Sequence, residues 1–110
     1  MKGTMLVIRS SKSLGEGLRL CAAMLGMDES PFVVFIDEGV QCLQPDSVED
    51  PYLVEYLQTA ADIAGVYVLK ESLIEQDVNE DSLDPALDAA VIDVSGFTDL
   101  VIECKTVTTF

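Results

Sequence analysis

Phe32-Val33-Val34-Phe35-Ile36-Asp37-Glu38-Gly39-Val40 is the most decisive stretch of this 110-residue chain. Five apolar, strand-favouring residues follow one another without polar alternation. That pattern describes a strand buried on both faces, as in a parallel sheet covered by helices. Pro31 leads into the run and Asp37-Glu38-Gly39 closes it. Upstream, Met5-Leu6-Val7-Ile8 has the same character, and downstream so do Val66-Tyr67-Val68-Leu69 and Ala90-Val91-Ile92-Asp93-Val94. Thr106 to Phe110, rich in β-formers, reads as a last strand.

Helical patterns fill the intervals. After the first strand, Leu14, Leu18, Cys21, Ala22 and Leu25 form one apolar stripe. Ser13 with Glu16 reads as a capping box for that helix, and Gly26 as its end. Gly15 and Gly17 mark places where backbone packs closely or a ligand approaches. Residues 41–50 read as a loop. Asp50 as N-cap and Pro51 at the first helical position open a second helix with the stripe Leu53, Leu57, Ala60, Ala61 and Ala64, closed by Gly65. Glu71 to Gln76 predicts a short helix. Ser95 is the expected cap of a last helix carrying Phe97, Leu100, Val101 and Cys104. Strands alternating with helices predict a single three-layer α/β domain over residues 1–110. Its sheet is five-stranded and mostly parallel, with helices on both faces.

The net charge of −14 repels phosphate backbones and argues against direct binding of nucleic acid. The charge is lopsided. Residues 1–20 hold Lys2, Arg9, Lys12 and Arg19 against one acid, Glu16, whereas the remaining 19 acids face only Lys70 and Lys105. This describes a solvated acidic surface or one on which a basic partner protein docks. No segment reaches the ~20 apolar residues that span a bilayer, and the N-terminal apolar run is too short for a secretory signal, so a cytoplasmic location is expected. In that compartment Cys21, Cys42 and Cys104 are expected to be free thiols. With no histidine and no Cys-x-x-Cys pair, no metal site is expected.

In sheets of this kind ligands bind beyond the carboxyl ends of the strands. Ser10 to Ser13, Asp37 to Cys42 and Leu69 to Glu71 meet at that edge. No glycine-rich nucleotide loop follows a strand, so no cofactor is expected, and without histidine no Ser-His or Cys-His pair can form. Ser11-Lys12-Ser13 either holds a small anion or caps its helix. Asp77-x-Asn79-x-Asp81 with Asp88 imitates a calcium loop, but Ser82 stands where that loop needs glycine, so a solvated acidic loop is the better account. Cys21 and Cys104 fall on apolar stripes and are expected to be buried. Cys42 follows the second strand and is expected on the accessible rim, its pKa raised by Asp37 and Glu38.

Together these segments resemble the DsrE/DsrF/DsrH family of small sulfur-relay proteins, also called the TusB/TusC/TusD group. The likeness spans nearly the whole chain. It is clearest at Phe35-Ile36-Asp37-Glu38-Gly39-Val40 and Glu16-Gly17-Leu18, and in the tail Gly96-Phe97-Thr98-Asp99-Leu100 to Phe110. The resemblance implies assembly into homo- or hetero-oligomers with related subunits and persulfide transfer in sulfur oxidation or tRNA thiolation. E-type members carry their persulfide cysteine just after the third strand, where this chain has Leu69-Lys70-Glu71. H-type members carry theirs near Gly17. F-type members lack one and are assembly partners. The resemblance therefore points to a non-catalytic subunit, with a carrier using Cys42 or Cys21, or a binding module without sulfur chemistry, as alternatives.

Overall fold

A computed structural model describes residues 2–110. The strands are β1 (Lys2–Ile8), β2 (Phe32–Phe35), β3 (Val66–Leu69), β4 (Ala90–Ile92) and β5 (Cys104–Thr109). They form one sheet in the order β4-β3-β2-β1-β5, and every neighbouring pair is parallel. The helices are α1 (Leu14–Gly26), α2 (Pro51–Thr59), α3 (Lys70–Glu75) and α4 (Val94–Glu103). The expected α/β architecture with a five-stranded parallel sheet is what the chain adopts.

The strand order explains the layering. Three crossovers step one way across the sheet, from β1 to β4, and the fourth returns past β1 to β5. Because parallel crossovers are right-handed, the return places its helix on the opposite face. Leu6, Ile8, Val33, Phe35, Val66 and Val68 accordingly pack under Leu14, Leu18 and Cys21 of α1 and Leu57 of α2. Met5, Val7 and Val34 face the other way, toward Phe97, Leu100, Val101 and Cys104 on α4. The predicted α4 stripe is thus the side that meets the sheet.

Several local expectations change. Ser13 makes no side-chain cap, because a 3-10 turn over Ser11–Ser13 leads into α1, and the Ser10 hydroxyl accepts from Lys12 N instead. The left-handed residue after α1 is Asp28 (φ 61°), not Gly26. Residues 41–43 belong to a 3-10 segment, Asp37–Leu43, that carries the chain away from the edge of β2. Asp50 and Pro51 open α2 as expected, but its end loosens into a π-helical turn, Ala60–Ala64, before Gly65 at φ 90°. β4 stops at Ile92, so Asp93 caps α4, accepting from Gly96 N at 2.8 Å, and Ser95 falls inside the first turn. β5 begins at Cys104, two residues before the sequence pattern suggested, because α4 ends there and its backbone turns directly into the β1 ladder.

All five non-glycine residues with positive φ among the described residues are aspartates: Asp28, Asp37, Asp46, Asp77 and Asp88. Asp50, Asp84 and Asp93 are helix caps. A short carboxylate tolerates the left-handed region and accepts from backbone N–H groups. Much of the acidity therefore has a backbone role.

Candidate functional site

β1 and β2 end side by side, and their exits are tied together at the carboxyl edge of the sheet. Asp37 takes the left-handed conformation, φ 51°, directly after β2. Its N–H donates to the hydroxyl of Ser72 at 2.8 Å, and its Oδ2 accepts from Arg9 Nε at 2.8 Å. The carboxylate of Glu38 accepts from Ser11 N at 2.8 Å. Gly39 N donates to the carbonyls of Arg9 and Ile36, each at 3.0 Å. A Cβ on Gly39 would lie 2.4 Å from the carbonyl oxygen of Ile8, so only glycine permits this approach. The edge expected from sequence is thus assembled: Ser10 to Ser13 meets Asp37 to Cys42. The buried Ser72 was not foreseen, since one serine in a short helix carries no pattern that distinguishes it.

This geometry resolves the choice at Ser11-Lys12-Ser13. The anion at that turn is the chain's own Glu38. The bond from Ser11 holds the Glu38 carboxyl below the usual carboxylate range, and the nearby Lys12 charge adds to the effect. On the other side, Glu71 at the start of α3 accepts from Val94 N at 3.4 Å through Oε2, while its buried Oε1 has no partner.

Two of the three thiols, Cys42 and Cys104, are not where the sequence suggested. Cys42 is only 5% exposed, because the 3-10 segment after β2 turns its side chain inward onto the core. Burial, and then the Glu38 charge, push its pKa up to about 11. Asp37 is paired with Arg9 and does not contribute to that rise. Cys42 is therefore a protonated, weakly nucleophilic thiol at neutral pH. It lines two clefts. One, of about 190 Å³, includes Ser11, Glu38 and Gln41; the other, of about 140 Å³, includes Val54, Leu57 and Leu87. Cys21 is buried in the core as expected, and its pKa is raised by burial. Cys104, expected to be buried, is half-buried at the junction of α4 and β5, where burial and the Glu103 charge raise its pKa. The most accessible thiol is therefore Cys104, far from the carboxyl edge.

The two glycines of α1 also separate. Gly17 is buried, and a Cβ there would lie 3.0 and 3.1 Å from Ile8 side-chain atoms and 3.4 Å from Phe110. It is a close-packing position and not a ligand approach. Gly15 meets only the flexible end of Arg19. In the imitation calcium loop, Asn79 accepts from Asp81 N and Asp84 from Ala86 N, while Asp77 and Asp88 are left-handed. These side chains shape turns. Among the described residues no helix is long and apolar enough to cross a membrane. No protein-family model matches the chain, and no curated protein matches it.

Proposed function

We propose that this chain is a non-catalytic subunit of a sulfur-relay assembly, oligomerising with itself or with related subunits. The observation that carries the proposal is that no thiol is both accessible and placed at the carboxyl edge of the sheet. The position near Gly17 is sealed by Ile8 and Phe110, so a thiol there would not face solvent. The segment after β3 offers Lys70 and Glu71, neither of which can carry sulfane sulfur. Assembly draws support from apolar side chains on the outer side of α4 and on β5, where Val94, Ile102 and Val107 are exposed, Ile102 at 74%.

One observation favours a second reading, in which Cys42 carries persulfide once a partner has docked. It lies against both clefts, and a basic partner neutralising Glu38 would remove one of the two causes that raise its pKa. Cys21, deep among Ile8, Leu18 and Val33, has no comparable access. The two readings separate by intact-mass spectrometry after incubation with a persulfide donor, carried out with and without a Lys/Arg-rich peptide as the basic partner. The non-catalytic reading expects no stable adduct of one sulfur atom on Cys42 or Cys21. An adduct mapped to Cys42 and absent from Cys42→Ser establishes the carrier.

A further inference from the structure

The cleft on the outer side of Cys42 lies between the loop after the Asp37–Leu43 segment, α2, and the acidic 77–88 loop. Its buried residues are Cys42, Leu57 and Leu87, and its more open apolar wall is Val48 and Val54. Asp46 and Asp84 stand among its lining, and among the described residues no lysine or arginine does. The walls are held in place rather than loosely apposed. Asp84 N donates to the Leu43 carbonyl at 2.8 Å, and Gln58 Nε2 donates to the Ala86 carbonyl at 2.9 Å. The cleft is therefore a preformed feature of the fold, since each wall is anchored to the other by a backbone acceptor.

The chemistry of an occupant follows from the size and the charge. The volume, about 140 Å³, is close to the ~150 Å³ at which an apolar cavity accepts a benzene-sized guest. That is room for one aliphatic side chain and too little for a nucleotide or a folded segment. The segments that build the walls carry charge of one sign: residues 41–69 and 77–88 together hold ten acids and no base. Such a field attracts a segment with several positive charges, and the apolar floor selects one uncharged side chain within it. An isolated cation would leave the floor of Leu57 and Leu87 unfilled, and a neutral apolar molecule would gain nothing from the carboxylates.

We infer that this cleft is the docking site for a basic, extended segment of a partner protein, which inserts one leucine-sized side chain against Cys42, Leu57 and Leu87 between Asp46 and Asp84. The inference is independent of sulfur chemistry and holds whether or not Cys42 ever carries sulfur. It also fixes where a basic partner would have to sit to reach that thiol.

The test is a methyl and amide NMR titration of the full chain with the peptide Ac-Lys-Arg-Leu-Lys-Arg-NH2, its Leu→Ser counterpart, and neutral Ac-Gly-Gly-Leu-Gly-Gly-NH2. The leucine peptide is expected to shift the methyls of Val54, Leu57 and Leu87 and to bind about fivefold or more tightly than the serine peptide. Its affinity is expected to fall as salt rises. Val54→Ser, at a half-exposed wall position that the fold does not depend on, is expected to reduce the preference for leucine without changing the spectrum elsewhere. Asp46→Asn is expected to weaken both charged peptides. Equal binding of leucine and serine peptides, or shifts scattered over the acidic surface, would mean charge attraction alone and overturn the proposal. So would equally tight binding of the neutral peptide, which would mark a site for small apolar guests.

Discussion

Ile8, Phe35 and Val68 point to one side of the sheet and are sealed beneath α1, α2 and the 3-10 segments, whereas Met5, Val7 and Val34 on the other side are covered by α4 alone. α1 contributes several fully buried residues to its face; α4 contributes none. The difference follows from topology. Three forward crossovers stack helices on one face, and the single return crossover leaves one helix to span the other. The thick face holds the larger core, although α2 and α3 leave Tyr52 and Ile74 exposed on their outer sides. The thin face leaves Val94, Ile102 and Val107 in solvent.

The sharpest way to break this contrast is a matched pair of truncations. Phe35→Ala, in the thick core, is expected to cost about 3–5 kcal/mol, and half-buried Phe97→Ala under α4 only about 1–2 kcal/mol, as read by denaturant unfolding. Equal costs would mean that the α4 face is as deeply buried in solution as the other. Next in size is Gly39→Ala, expected to cost about 2–3 kcal/mol because the opposing atom is the Ile8 carbonyl, which cannot move without β1. Gly17→Ala should cost less, about 1 kcal/mol, since the Ile8 side chain can yield.

A third test concerns the buried thiol. The Cys42 pKa rises from 9.0 to about 11 on folding, so between those values the unfolded chain loses the proton while the folded chain keeps it. The contribution of this thiol to stability is thus full below pH 9.0 and is expected to fall by at most about 2–3 kcal/mol as pH rises toward about 11, a slope that Cys42→Ala should flatten. At neutral pH, native-state labelling is expected to reach Cys104 first. A faster Cys42 would show that its segment opens readily. The smallest effect is expected at the outer side of α4. Ile102→Ser should change the stability of a dilute monomer by less than about 0.5 kcal/mol yet shift any monomer–oligomer equilibrium measured by light scattering toward monomer. No change in association would exclude that stripe from the interface.

Most of the fold was legible because its central strands are unbroken apolar runs and its long helices have regular stripes. Periodicity reports burial wherever an element is long enough to repeat. It failed at the joints. Ser13 and Ser95 both look like caps, yet Ser10 and Asp93 do that work, because one or two residues of shift in a strand end or a 3-10 turn reassigns the cap. The chemical edge was legible as a location: Ser10 to Ser13 and Asp37 to Gly39 do meet. Ser72 was not, because its role exists only once α3 is laid beside the exit of β2.

Alone, the amino-acid sequence determined the alternation of strand and helix, the parallel sheet, the apolar face of each long helix and the acidic surface, since each depends on residue type and local spacing. Only the tertiary structure decided which way Cys42 points, that Glu38 occupies the Ser11 turn, and that five aspartates take left-handed backbone. Those outcomes depend on how a few non-repeating residues pack where chain ends of strands converge. There a single 3-10 turn rotates a thiol from the rim into the core.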